Sequence, residues 1–516
     1  MLLFGLILLP LIGGLLCWPS DRLGDKAPRI IALITMGITL LFTLILWGQG
    51  DFSVEIPVGH LNWQAEFMVP WIPRLGINFH LAIDGLSMLM VALTALLGVL
   101  AVLATWNEQH ERIGLFHLAM LWTIAGVIGV FTAIDLFLFF FFWEMMLIPM
   151  YFMIALWGHK AVEKTQRFSG ATKFLIYTQA SGLVLLVSII GLAVVFYNHT
   201  QVWTFDYNEL LTLTHLGLLP FWTEFLLMLG FFVAFAVKMP LIPVHGWLAD
   251  AHEQAPTAGS IDISGLLLKT AAYGMLRFSL PLFPDSSMVF APVAMGLGII
   301  GLFYGAWLAF AQTDIKRLVA YTSVSHMGLV TIAIYSGSLL AFQGAVVQMV
   351  AHGLSAAALF IICGILYQRF GTRDMREMGG LWGRVNYLPA FTLFFAVATL
   401  GMPGTGNFVG EFMMLFGTFS VVPVLTSIAA FAMVFASIYS LSMIQRVYYG
   451  KVSREEKVMG LSHREIGILT VLTVLLVILG VYPSIVLNTS EQVMAGFDGW
   501  LNSTSTLLSD LTQAGL

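Results

Sequence analysis

The sequence predicts an all-α polytopic membrane protein of about 14 transmembrane helices, with two inverted five-helix repeats that each contain a broken helix. Three observations lead there. Of 516 residues, 59% are hydrophobic and 10% charged, with a mean hydropathy of +0.90, which no soluble domain approaches. Apolar runs of roughly 20 residues, bounded by turn or charge signals, recur along the whole chain. Two of these runs are interrupted by Pro or Gly beside a charge, VKMPLIP at Lys238 and LGMPGTGNFVGEF at Glu411.

The N-terminal segment, 1–112, holds runs at 2–18, 29–48 and 80–105. The first resembles a secretory h-region but has neither a basic n-region nor a small-x-small cleavage site, so it is expected to be a retained span. The connection 49–79 contains FSVEIPV and EFMVPWIPRLGINFH, whose partial alternation predicts a small β-hairpin on the outer side. A first repeat, 113–280, holds runs at 113–132, 134–157, 170–197, 223–249 and 257–280, with its break near Lys238 to Pro243. A second, 281–447, holds runs at 288–311, 314–335, 338–368, 388–418 and 423–447, with its break between Gly401 and Gly406. The breaks are about 165 residues apart, five spans with their loops, and five is odd, so the second copy runs the opposite way through the membrane. The last segment, 448–516, holds a run at 465–488 and a tail in which Val493, Met494, Phe497, Trp500 and Leu501 alternate with polar residues, as in an amphipathic helix on the outer surface.

Basic residues test this arrangement. With connections alternating sides, eighteen of the 23 lysines and arginines fall on one side, only Arg74 falls on the other, and Lys173, Lys238, Lys269 and Arg277 lie inside apolar segments. That bias places the basic connections in the cytoplasm and both termini outside. The net charge of −5 and the confinement of charge to short connections exclude a nucleic-acid partner and leave the lipid bilayer as the surroundings. Cys17 and Cys363 are too few for a cysteine-ligated iron–sulfur cluster. There is no Walker pattern, nucleotide loop or nucleophile constellation.

The candidate functional residues are the charges at mid-depth. Glu144 in FLFFFFWEMMLIPM, Lys238, Lys269 in ISGLLLKTAAYGMLRF and Glu411 would together cost about 10–14 kcal/mol if unpaired in the bilayer, so they face the protein interior. Glu144 and Lys238 make the most economical pair, with zero net charge. Helix dipoles fit the breaks: Lys238 ends a half-helix and Glu411 follows the start of one. His326 in AYTSVSHMG and His352 in QMVAHGLSAAALF lie near the middle of their spans beside small or hydroxyl residues, and extend the row into a proton wire. Asp135 is expected to cap a helix near a membrane surface. Asp250, His252 and Glu253 in DAHEQAPT fit no metal spacing and are expected in a solvated turn. Arg277, two helical turns past Lys269, is expected to reach the outer headgroups.

At these residues the chain resembles a known family. VKMPLIPVHGWLADAHEQAPTAGS, LLLKTAAYG, AQTDIKRLVAYTSVSHMG and LGMPGTGNFVGEF are similar to the antiporter-like membrane subunits of proton-pumping NADH:quinone oxidoreductase, respiratory complex I, over at least 80–420. Within that family the chain most resembles the M type, marked by a glutamate at Glu411 where the L and N types and the multisubunit cation/proton antiporters usually carry lysine. It also lacks the long lateral helix of the L type.

The resemblance implies that Glu144 and Lys238 form a switchable charge pair and that Lys269 is the next proton carrier. It also implies that His326 and His352 belong to a hydrated central axis and that Glu411 is the terminal carrier near the exit. It further implies a translocase subunit without redox chemistry of its own in the bacterial inner membrane, with NADH, FMN, iron–sulfur clusters and quinone handled by partner subunits, and with the L-type and N-type subunits as neighbours. Membership of a multisubunit sodium/proton antiporter or of a membrane-bound hydrogenase complex is the alternative expectation.

Overall fold

Two helices and a β-hairpin form the N-terminal end of the bundle. The computed structural model describes residues 1–52, 62–108, 111–158, 164–450 and 459–497. Helix α1 (Leu2–Ser20) packs on α2 (Lys26–Gln49). Strand β1 (Ala65–Ile72) pairs antiparallel with β2 (Ile77–Ile83), Phe67 opposite Leu81, across a turn in which Gly76 takes the left-handed conformation at φ +67°. The expected hairpin is therefore present, formed by the second of its two runs; the first lies from Ser53 onward outside the described residues. Two contacts pin it to the bundle. The Asn78 N–H donates to the Asp135 carboxylate at 2.9 Å, and the His80 ring lies between Asp206 and Glu66, 2.7 Å from the latter. Burial disfavours the charged His80 ring, but the two flanking carboxylates outweigh it and hold the imidazole above its ordinary value.

Several of the helices that follow start at side-chain caps or prolines. Asp84 caps α3 (Gly85–Ala104), accepting the Ser87 N–H at 3.0 Å. Only residues 133–135 separate α4 (Ile113–Thr132) from α5 (Leu136–Met145), which Asp135 caps as expected by accepting the Phe137 and Leu138 N–H groups. The run 134–157 is two helices, α5 and α6 (Leu147–Trp157), turning at Met146. Pro149 has no N–H to give and its ring crowds the Met145 carbonyl, so the helix yields there. Helix α7 (Lys164–Thr200) is followed by a short α8 (Tyr207–His215) in a connection where hydropathy shows no span.

Both broken runs are broken. Helix α9 (Phe221–Lys238) stops at Lys238, and α10 (Gly246–Gln254) resumes after the two prolines. The run 257–280 is one helical path of α11 (Thr257–Asp262), α12 (Leu268–Gly274) and α13 (Leu280–Leu282), joined by π-turns at Ile263–Leu267 and Met275–Ser279. Then come α14 (Pro284–Ala311), α15 (Ile315–Ile334) and α16 (Leu339–Phe370). The second break separates α17 (Leu388–Ala398) from α18 (Gly406–Phe419), ahead of α19 (Pro423–Tyr448) and α20 (His463–Val481). Helix α20 ends before the expected 488, because Pro483 cannot continue its ladder. A further helix over 484–497 buries Val486, Val493, Met494 and Phe497; the tail from Asp498 onward lies outside the described residues.

Among the described residues twelve helices are long and apolar enough to cross a membrane, with α5 and α6 counted together. The two expected spans not among them are the interrupted paths 257–280 and 388–418. Burial sorts centre from rim: 94% of the apolar stretch of α15 and of α16 is inside the bundle, against 28% for α2 and 33% for α19 and α20, whose apolar side chains are left to face lipid.

Arg277 corrects an expectation. It does not reach outward but is fully buried, ion-paired with the cap residue Asp84 and set among the rings of Trp63, Tyr273 and Phe497. A carboxylate 193 positions away makes burial cheaper than snorkelling. Replacing Asp84 by Asn keeps the cap but leaves the guanidinium uncompensated. It is expected to destabilise the fold by about 3–5 kcal/mol, read as a lower Tm of the detergent-solubilised protein. Adding Arg277→Met should restore much of the loss, and no recovery would show that the pair is not the cause.

Candidate functional site

Lys238 is the last residue of α9, where the unpaired carbonyls of the final turn favour a cation. Its ammonium is fully buried and lies 3.7 Å from the centroid of the Trp143 ring, a cation–π contact, with no hydrogen-bond partner among the described residues. Trp143 is the residue before Glu144 on α5. The half-buried Glu144 carboxylate rests against Gly182 of α7, where any Cβ would collide with Oε1, and Gln179 of the same helix faces it. The expected pairing is not a contact in this structure. Among the described residues no ion pair joins Glu144 to Lys238, although the two charges interact over a longer distance.

The remaining four residues form one continuous row. Lys269 lies on α12 between the two π-turns, fully buried, where its Nζ donates to the Ser264 carbonyl and sits 2.7 Å from His352 Nδ1. The His352 ring is 5.4 Å, centroid to centroid, from that of His326, at 59°. His326 Nδ1 is 3.5 Å from Glu411 Oε1, which also lies 3.5 Å from Gln348 Nε2. Glu411 is in the second turn of α18, where the positive end of the helix favours a carboxylate. Its Oε2 rests on Gly401, which takes φ +74° and has no room for a Cβ, so this half of the break requires glycine twice over. The order in space is Lys269, His352, His326, Glu411, whereas the sequence runs through His326 first. The six candidates thus fall into two groups, Glu144 with Lys238 and the four-residue row. Between the groups lie Phe235, packed on Gly274, and Met239, whose sulfur is 3.8 Å from the Thr331 hydroxyl.

The solvated turn expected at DAHEQAPT is helix α10. Asp250 pairs with Lys173 at 2.6 Å and Arg317 at 2.8 Å, and Glu253 pairs with Arg317 at 2.5 Å and Arg373 at 3.7 Å, a network that ties α7, α10 and α15 together. His252 turns inward instead, fully buried and stacked on Phe360 at 4.3 Å. Three interior residues escaped the sequence reading, Trp143, Gln348 and Asp262, and His252 was expected in solvent. Asp262 had a signal, since it precedes Lys269 by seven residues and so shares its helix face.

Residues 133–438 match the family described as NADH:quinone oxidoreductase/Mrp antiporter, TM. NADH-quinone oxidoreductase subunit M of Escherichia coli strain K12 is 64% identical over 510 residues, covering 98% of this chain and 99% of that protein. The chain belongs to the subunit M family of NADH-quinone oxidoreductase. Its fold agrees with that membership, matching a chain of respiratory complex I from Thermus thermophilus with bound NADH at a TM-score of 0.84 and 27% identity, over 97% of this chain and 99% of that one. A chain of the Mrp complex from Dietzia sp. DQ12-45-1b matches at a TM-score of 0.81 and 21% identity, over 97% of this chain and 52% of that one, which shows a shared fold alone.

Proposed function

We propose that this subunit M chain is the proton-translocating, antiporter-like module of its NADH-quinone oxidoreductase, moving protons from cytoplasm to periplasm through Glu144, Lys238, Lys269, His352, His326 and Glu411. The observation that carries this reading is the row from Lys269 to Glu411. Four buried titratable side chains stand in sequence, with polar atoms 2.7 and 3.5 Å apart at its two ends and adjoining imidazoles between them. Such a row has no packing purpose that apolar side chains would not serve better.

Glu144 and Lys238 act as the switch in this reading. With the carboxylate near, the ammonium is balanced and keeps its proton; with the carboxylate away, as here, Lys238 rests on Trp143 and can release its proton towards Lys269. Each charge moved against 100 mV requires about 2.3 kcal/mol, which neighbouring subunits must deliver as motion. The repeats 113–280 and 281–447 are inverted copies that place the two broken helices, α9–α10 and α17–α18, at matching depth. With the interrupted paths counted the chain makes fourteen spans, both termini are periplasmic, and the L-type and N-type subunits flank it in the inner membrane. This chain carries no redox group; NADH, FMN, iron–sulfur clusters and quinone belong to partner subunits.

The test is to purify the assembly through this chain and reconstitute it in vesicles. Iron–sulfur proteins should co-purify, and NADH oxidation by quinone should drive protons across the membrane equally well in sodium-free buffer. Isolation with small antiporter subunits and no iron, or a strict need for sodium, would overturn the reading.

A further inference from the structure

Seven buried polar atoms with no hydrogen-bond partner among the described residues are gathered in a single short segment, 252–262. They are both ring nitrogens of His252, Gln254 Oε1, Thr257 Oγ1, Ser260 Oγ and both oxygens of Asp262. Buried polar atoms are normally satisfied, and such a concentration marks a place built to receive water or protons. The segment comprises the end of α10 and the whole of α11, just before the helix that bears Lys269. At its near end the Thr257 N–H donates to Glu108 Oε1 at 3.0 Å, and Glu108 follows α3 on the side of the basic connections. At its far end Asp262 opens the first π-turn. In that turn the Ser264 carbonyl accepts from Lys269 Nζ and the Ser264 hydroxyl lies 2.9 Å from that of Ser323. Asp262 precedes Lys269 by seven residues, across that single π-turn.

No described contact gives Asp262 a structural role. It is fully buried, caps no helix, and neither oxygen bonds to anything described. A leucine would pack better there and an asparagine would fill the same volume, so what a carboxyl alone contributes is a proton that can be bound and released. His252, the other group in the segment able to do so, has one ring face covered by Phe360 and lies nearer the inner side.

We propose that Asp262 is the loading group for Lys269 on the cytoplasmic side. The Asp262 carboxylate takes a proton that enters past Glu108, Thr257 and Ser260. The resulting acid gives that proton to the neutral Lys269 amine, which leaves an ammonium beside His352 and restores the carboxylate. This rests on the reading that Lys269 carries protons.

The test compares Asp262→Asn, Asp262→Glu and Lys269→Met in the full assembly, with proton translocation measured per assembled complex. The expected result is a slowing of about tenfold or more for Asp262→Asn, the size of effect of a lost general acid, and substantial rescue by Asp262→Glu. Wild-type pumping by Asp262→Asn beside a defective Lys269→Met overturns the loading role alone; wild-type pumping by both overturns the underlying reading. Should Asp262→Asn assemble poorly, infrared difference spectra of the wild-type complex decide. A turnover-dependent carboxylic-acid carbonyl band that shifts on isotopic labelling of aspartate supports the proposal, and its absence overturns it.

Discussion

Replacing Lys238 by methionine is expected to reduce proton pumping by the assembled enzyme about a hundredfold or more, the scale of a lost proton-transfer group, without unfolding the chain. The structure makes this substitution unusually clean. Among the described residues the buried ammonium donates no hydrogen bond, so its loss orphans no acceptor there; a cation–π contact with Trp143 disappears, and a methionine of similar length can lie on the same ring. Because no carboxylate is in contact with this ammonium among the described residues, its removal leaves no ion-pair partner stranded, and an apolar side chain at this buried position is expected to be neutral or favourable for stability. Glu144→Ala should have a comparable effect on pumping. Gly182→Ala provides the conformational version, since its Cβ would occupy the place of Glu144 Oε1 and push the carboxylate off α7 with no change in charge. Acidification of inverted vesicles on adding NADH, normalised to assembled complex, reports all three. Wild-type acidification by Lys238→Met and Glu144→Ala would end the switch mechanism.

Much of the fold was legible because the bilayer imposes it. Runs of about 20 apolar residues, prolines after Lys238 and glycines before Glu411 are local signals, and the helices and breaks fall where they point. The subunit M resemblance was legible through the same motifs. What local pattern could not supply was contact between distant segments. Arg277 reads as a snorkelling residue until Asp84 is placed beside it, and His252 reads as solvated until α10 turns it onto Phe360. The hairpin was legible by its alternation, but the cap and clasp roles of Asp206 and His80 were not.

The candidate row was legible in membership and not in order. Depth along each span picks out Lys269, His326, His352 and Glu411, yet depth says nothing about which helices touch. Helix α16 packs against the first π-turn of the Lys269 helix and α15 against α18, so His352 stands next to the lysine and His326 next to the glutamate. The Glu144–Lys238 pairing was argued from charge balance, which requires nearness but not contact; Trp143 supplies a second resting place for the cation that charge counting cannot foresee.

The order in space gives Glu411 a sharper test than the order in sequence would. Glu411→Gln keeps the shape of the side chain, and its amide can still meet Gln348 and His326, so assembly should survive. The neutral amide cannot take a proton from His326, and pumping is expected to fall about a hundredfold. Glu411→Lys should fare worse in a different way. A cation there would face the positive end of α18, press on Gly401 and stand beside a row already bearing Lys269, so the expected loss includes stability, seen as a lower Tm and less assembled complex. Because His326 and not His352 touches the carboxylate, His326→Leu should reproduce the pumping defect of Glu411→Gln, and the double variant should be no worse than either alone. Additive losses in the double variant would mean that the two residues serve separate routes, and pumping unchanged in Glu411→Gln would remove the glutamate from the path altogether.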